Sequence, residues 1–373
     1  MTHSLSAPKV AATVHTMEEF DPNAKLSFGE WAGKNLFNSI PQTILTVVVA
    51  ACLLRFFWFV LNWGILDAVF YTTDPAVCRA ATGACWAVIV EKHRPMLFGL
   101  YPYDQQWRLV VMMAIYLITV VVSLPPRFWN LKLLVPFWIV SVTSIFVMLF
   151  GGVFGLPFVP STDWGGLPLT MILFSGTVLI GMPVAVLLAL GRRSPLPVAK
   201  GFSVVFIEAL RGVPLITILF VAVNVFPLFL PAGVEVNKLL RVVIGIAIFF
   251  ACYQAEVIRG GLQAIPKGQY EAAASLNLTY WQTTTRIILP QALRISLPAI
   301  TNHIIAAMKN TSFVIIIGLF DILTATTAVM QDPLWRRYYV EAYLFVAAIY
   351  LFFGYSLSLY ARQVEKWVNT GRI

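Results

Sequence analysis

Between residues 41 and 360 the chain alternates long apolar runs with short polar ones. The runs lie near 41–63, 109–124, 133–151, 167–190, 203–222, 239–258, 298–320 and 341–360. Each is about 20 residues, the length at which an α-helix crosses a hydrocarbon core of about 30 Å. A helix also satisfies its own backbone polar groups in lipid. The pattern therefore predicts an all-α, polytopic transmembrane helical protein with about eight spans. The second run is short, and the seventh opens with Pro298 and carries several polar residues.

One polar stretch, QYEAAASLNLTYWQTTTRIILPQA (269–292), separates the sixth and seventh runs. Pro266 suits a first helical turn, and Gln269 to Leu276 are rich in helix formers. Asn277 follows as a residue that tolerates a left-handed C-terminal cap. Thr279 then reads as an N-cap with Gln282 three residues on, a capping box, and a second helix is expected to run toward Pro290. Local rules thus predict a compact helix-turn-helix whose small patch, Ala272 to Ala274, would let another backbone approach. Taken alone, the same rules also describe an ordinary well-capped loop.

Composition agrees with a membrane protein: 59% of the 373 residues are apolar and 12% charged, with a mean hydropathy of +0.80, well outside the soluble range. Basic residues concentrate on the cytoplasmic side of membrane proteins. With the N-terminus inside, 15 Lys and Arg fall on the cytoplasmic side and 7 on the other, with Arg55, Arg211, Arg241 and Lys309 within spans. Both termini and the 269–292 stretch are then expected in the cytoplasm. The net charge of +9 is mostly this bias, so nucleic acid is not an expected partner. Residues 1–40 lack the short apolar core and cleavage site of a secretory signal and are expected as a cytoplasmic segment.

Candidate chemistry is sparse. Cys78 and Cys85 share the outer loop 64–108, where an oxidising compartment would allow a disulfide, though two cysteines give no framework that requires one. Cys52 and Cys252 fall in spans and read as packing residues. No CxxC or HExxH occurs, so no metal site is expected. GxSxG and a Walker A loop are also lacking, so no catalytic residue is assigned and any ATP hydrolysis belongs to another chain. Within spans, Glu208 and Arg211, and Glu256 and Arg259, stand at i, i+3, a spacing at which charges can neutralise each other. A structural ion pair and a gate or coupling role are both open for them. Asn302, His303, Lys309, Asn310 and Thr311 form a polar series in one span, where each polar group carries an insertion cost.

At 269–292 the sequence resembles the EAA loop of ABC-transporter permeases, in which Glu-Ala-Ala is followed by Gly and then by a hydrophobic-x-Leu-Pro ending. Here those positions are Glu271, Ala272, Ala273, then Asn277, then Ile287, Leu289 and Pro290, with Asn in place of the family's Gly. IEALRGVPLITILF (207–220), CYQAEVIRGGLQAIPKGQYEAA (252–273) and LPAITNHIIAAMKNTSFVIIIGL (297–319) are similar to membrane subunits of polar-amino-acid (HisM/HisQ-like) importers. The stretch at 164–194, with the three preceding spans and YPYDQQWRLV, looks like the M-type permease of a general L-amino-acid importer.

The resemblance implies three accessory helices (41–160) ahead of a five-helix type I ABC importer core (161–373) containing a coupling loop at 265–292. It implies a bacterial inner-membrane permease that moves L-amino acids. Its expected partners are a second, Q-type permease, two copies of a cytoplasmic ABC ATPase that use ATP and Mg, a periplasmic amino-acid-binding protein, and membrane lipid. No cofactor is expected in this chain. Glu271, Ala272, Ala273, Asn277, Leu289 and Pro290 become the ATPase-coupling residues. The span holding Asn302, His303, Lys309, Asn310 and Thr311 lines the transport path in this family, which makes them substrate-path candidates.

Three alternatives stay open. An ion-coupled secondary transporter would show an inverted repeat, and residues 41–190 and 203–360 show no self-similarity. A non-transport scaffold would need no polar series in a span. A glutamate/glutamine/aspartate/asparagine system, or a basic-amino-acid one, would share every motif quoted.

Overall fold

A computed structural model describes residues 27–369 and divides into two compact units, one ending at Leu66 and one beginning at Asp67. Of the cytoplasmic segment expected at 1–40, residues 1–26 lie outside the described residues. The first unit holds α1 (Phe28–Leu36) and α2 (Ile40–Leu61). Ser27 and Glu30 form a capping box that starts α1, and Ser39 caps α2. The Thr46 hydroxyl donates to Leu36 O at 2.8 Å, which fixes the turn between them.

The second unit begins with the outer loop, which is not loop throughout. It contains α3 (Pro75–Ala80) and α4 (Ala87–Phe98). The helices α5 (Gln106–Ser123), α6 (Leu131–Phe150) and α7 (Gly166–Arg192) follow, then α8 (Pro197–Arg211), α9 (Leu215–Phe220) and α10 (Lys238–Gln263). Next come α11 (Lys267–Ser275), α12 (Tyr280–Thr283), α13 (Leu289–Asn310), α14 (Ile322–Val329) and α15 (Tyr339–Asn369). Among the described residues extended pairing is limited to two isolated bridges, Val69 with Cys85 and Gly166 with Asp321.

Among the described residues seven helices are long and apolar enough to cross a membrane, and an eighth candidate is bent. That eighth corrects the expected fifth span, 203–222. The chain turns by 104° between Pro197–Arg211 and Leu215–Phe229. The physical reason is Gly212-Val213-Pro214: proline lacks the N–H a helix would need there and its ring clashes with the preceding turn. The seventh expected span is corrected in the opposite sense. Instead of starting at Pro298, a continuous helical segment runs from Tyr280 to Ile317.

Three apolar clusters hold this unit together. Leu109, Met112, Ile145 and Leu149 of α5 and α6 share one with Leu169, Leu173, Val242 and Ile246 of α7 and α10. The second and third accessory helices are therefore packed into the same body as the core. A second cluster joins α7, α8, α10 and α13 through Ala185, Ile207, Ala255, Ile258 and Ala292. The third joins α4, α14 and α15 through Val88, Met96, Ile322, Trp335 and Ala342.

Small residues let these helices approach closely, as in other membrane bundles. A Cβ at Gly181 would stand 2.6 Å from Phe250 Cδ1 and 2.9 Å from Ala247 O. At Gly261 it would meet Ala292 O at 2.4 Å. Both positions press backbone on backbone, α7 on α10 and α10 on α13, and leave no room for a side chain.

Candidate functional site

The segment between α10 and α13 forms a solvent-exposed elbow. Its first helix ends in a Schellman motif: Asn277 takes φ 51°, its N–H donates to Ala274 O at 2.9 Å, and the N–H of Leu278 donates to Ala273 O at 3.2 Å. These two bonds satisfy carbonyls that would otherwise be orphaned at the helix end. The second helix starts at the Thr279–Gln282 capping box, with bonds of 2.9 and 3.3 Å. Glu271 and Ala272 are exposed, whereas Ala273 is buried against the body of the protein. Leu276, Tyr280 and Trp281 stand 72%, 54% and 64% exposed at the tip, so the elbow presents an apolar, aromatic end.

The second helix, expected to run toward Pro290, continues through it. A π-helical turn, Thr284–Ile288, precedes it, and the N–H of Leu289 bonds Thr284 O. The wider turn relieves the crowding that a proline ring imposes on the carbonyl one turn back. Leu289 is half-buried and Pro290 exposed. The elbow is thus joined to the span by one unbroken helical segment, a rigid connection.

At the elbow end of the helices lies a cluster of five charges. The Arg192 guanidinium contacts Glu208 at 2.8 Å and Glu256 at 3.0 Å. Glu256 also meets Arg259 at 2.9 Å and Arg211 at 4.0 Å. Glu256 and Arg259 pair at i, i+3 as their spacing predicts. Glu208 and Arg211 do not pair with each other. Glu208 turns to Arg192 of α7 and Arg211 to Glu256 of α10, because packing α7, α8 and α10 together brings better-placed opposite charges than the same helix supplies. Arg192, at the last turn of α7, is a member of this cluster that no spacing rule singled out. Arg193 beside it donates to Leu262 O, which ties the ends of α7 and α10.

The cluster reaches the polar series through Tyr253. The Arg211 guanidinium lies 5.4 Å from the Tyr253 ring centre, and the Tyr253 hydroxyl donates to Arg211 O at 3.3 Å. Tyr253 and His303 have ring centres 6.4 Å apart. Together with Phe249, Phe250 and Asn310 they line a cavity of about 340 Å³ between α10 and α13. His303 and Asn310, seven residues apart, face this one space.

The remaining members of the series do not. Lys309 lines a separate hollow with Ser312, Tyr343 and Tyr350, against α15. Asn302 is exposed, and Thr311 is buried with its hydroxyl donating to Met308 O at 2.8 Å. The polar series is therefore split over several faces, because consecutive residues of a helix are about 100° apart.

On the far side of the bundle, Cys78 and Cys85 are joined, with Cα atoms 5.6 Å apart. The N–H of Cys85 donates to the Glu341 carboxylate at 2.8 Å, fastening this lobe to the first turn of α15. Asp321, wholly buried, caps α14 by accepting from Thr324 N at 2.9 Å and Thr324 Oγ1 at 2.6 Å. Its burial raises its carboxyl pKa above the ordinary range. Arg108, also wholly buried, donates to Met148 O at 2.8 Å and Pro157 O at 2.9 Å. It closes the carbonyl end of α6, where a cation is favoured.

Comparison with known proteins places the chain in a family. Residues 181–370 match the family model described as "Binding-protein-dependent transport system inner membrane component". The inner membrane amino-acid ABC transporter permease protein YhdY of Escherichia coli (strain K12) is 43% identical over 347 residues, 92% of this chain and 93% of its own. The glutamate/glutamine/aspartate/asparagine transport system permease protein BztC of Rhodobacter capsulatus is 37% identical over 414 residues, 92% of this chain and 94% of its own. A crystal structure of an amino acid ABC transporter with histidines is 33% identical, covering 54% of this chain and 91% of that one, with a TM-score of 0.48. With a family match over half its length and relatives aligned along nearly all of it, the chain belongs to the binding-protein-dependent transport system inner membrane components.

Proposed function

We propose that the chain is the permease subunit of an ATP-driven importer that moves L-amino acids across the bacterial inner membrane. The observation that carries this reading is the elbow at 265–292: an exposed helix-turn-helix, capped on both sides of its turn and continuous with a span. Closure of two ATPases is a motion in water. A stiff element lodged in each ATPase can pass that motion to the membrane, where a flexible loop would absorb it. The elbow faces the cytoplasm, as do both termini, and ATP and Mg are used by the partner ATPases. A second, Q-type permease supplies the other half of the path, and a periplasmic binding protein delivers the solute.

The cavity lined by Tyr253, His303 and Asn310 supplies groups for an amino acid: an aromatic face for the ammonium and His and Asn side chains for the carboxylate. The charge cluster beside it, on three helices at once, is placed to change pairing as those helices move, and serves as the gate on the elbow side. A narrower substrate range, glutamate, glutamine, aspartate and asparagine, is the second reading, favoured by the name of the Rhodobacter relative.

The test is uptake of a panel of labelled amino acids in cells lacking this chain, with and without its restoration. Restored, ATP-dependent uptake of many amino acids supports the broad reading, and of the acidic and amide ones alone, the narrow one. No restored uptake of any amino acid overturns both. Glu271→Lys is expected to assemble and hydrolyse ATP without uptake, and normal uptake in that variant would remove the elbow from the mechanism.

A further inference from the structure

Four spans, α5, α6, α7 and α10, leave a cleft of about 410 Å³ between them. Its wall is carbon: Tyr116, Trp138, Phe146, Ile172, Leu179 and Val243 make up much of it. Phe146 and Leu179 are 42% and 53% exposed, so the cleft opens sideways, toward whatever surrounds the helices. In a membrane that surrounding is hydrocarbon.

Most of the few polar groups in the wall are already engaged. Ser175 Oγ donates to the Tyr116 hydroxyl at 2.9 Å, Thr119 Oγ1 donates to Ile115 O at 2.7 Å, and Trp138 Nε1 donates to Ser123 Oγ at 2.9 Å. At one end Asn237 Nδ2 donates to Ser161 Oγ at 2.7 Å. The Trp164 indole N–H has no acceptor and is itself covered. Ordered water needs two to four polar partners, which this wall does not offer. An amino-acid zwitterion would lose its hydration against carbon with nothing in exchange, so the cleft is not a station for a polar solute.

Its dimensions suit one apolar chain. Along α6 the lining runs from Trp138 to Phe150, roughly 18 Å at a rise of about 1.5 Å per residue. That is more than half of a hydrocarbon core of about 30 Å. Taking a methylene as close to the ~30 Å³ share of a water molecule, the volume matches roughly 14 carbons. The cleft ends at the Ser161–Asn237 pair, where α10 begins and the wall first becomes polar.

We propose that this cleft is a binding site for one acyl chain of a membrane phospholipid, with the ester and headgroup lying at the Ser161–Asn237 end. The bound chain completes the contact between α5–α6 and α7–α10, since wall atoms facing a void would lose their dispersion partners. The site is independent of which solute the protein carries.

The experiment uses the full-length chain, with whatever subunits accompany it, in phosphatidylethanolamine and phosphatidylglycerol vesicles. These are doped with a phosphatidylcholine carrying a diazirine near the end of one acyl chain. Irradiation followed by peptide mapping is expected to label cleft residues such as Ile172 and Val142 several-fold more than Leu351 and Phe352, which stand 70% and 65% exposed on α15. Val142→Trp, or Ile172→Phe should the first fail to fold, is expected to fill the cleft and abolish the excess while α15 labelling persists. Labelling in the cleft no stronger than on α15 overturns the proposal, and so does an excess that survives the filling substitution.

Discussion

Asn277 offers a direct test of the elbow as a rigid element. Its φ of 51° lies in the left-handed region, which costs an ordinary L-residue roughly 1–2 kcal/mol and is tolerated by Gly and, more narrowly, by Asn. Asn277→Gly removes that strain, whereas Asn277→Val places a β-branched side chain where it is a genuine outlier. The penalty falls on two bonds, from the N–H groups of Asn277 and Leu278 to Ala274 O and Ala273 O. Because Leu276, Tyr280 and Trp281 around the turn are exposed, opening the turn uncovers little apolar surface and need not involve the helical core. A change of one to two kcal/mol is a factor of about 5–30 in an opening equilibrium. Hydrogen exchange of amides 277 and 278 should therefore be faster by that factor in the Val variant than in the Gly variant, at unchanged thermal midpoint. Uptake per ATP hydrolysed should fall in the Val variant alone. Equal exchange in the two variants would refute the strain argument, and faster exchange with normal coupling would refute the need for rigidity.

Three further outcomes are expected. Glu256, with 14% of its side chain exposed and three arginines around it, should be costly to neutralise: Glu256→Gln leaves cations unpaired at about 3–5 kcal/mol, while Glu208→Gln, 54% exposed, should cost under about 1 kcal/mol. Thermal unfolding of the two purified variants checks the order. Arg108→Ala removes the charged donor from the part-buried carbonyls of Met148 and Pro157, at about 1–3 kcal/mol each. Arg108→Lys keeps the charge but not the fork and should recover only part of the midpoint. Cys78 and Cys85 should resist alkylation in the native protein until a reductant is added. Replacing both with Ser should cost about 2 kcal/mol, the low end for a disulfide, because they are only seven positions apart.

Features set within a few residues were legible in the sequence. The spans follow from run length, the turn at Asn277 from the tolerance of Asn for a left-handed backbone, and the Thr279 box from a spacing of three. The break at Gly212-Val213-Pro214 was also written locally, but the apolar run around it masked it. The polar series carried its own division, since His303 and Asn310 are seven residues apart and Lys309 is one residue, about 100°, off that face.

The sequence by itself determined the class, most of the spans and the caps, because hydropathy and backbone preference are properties of a residue and its near neighbours. It did not determine partners. That Glu208 answers to Arg192 rather than Arg211, that Arg108 closes the end of α6, and that Tyr253 stands between the charge cluster and His303 depend on which helices lie side by side. Those neighbours are fixed by packing across long separations, such as Gly181 on Ala247 and Gly261 on Ala292. Only the tertiary structure decides such contacts, because the energy that selects them belongs to pairs of helices and is spread along their whole length.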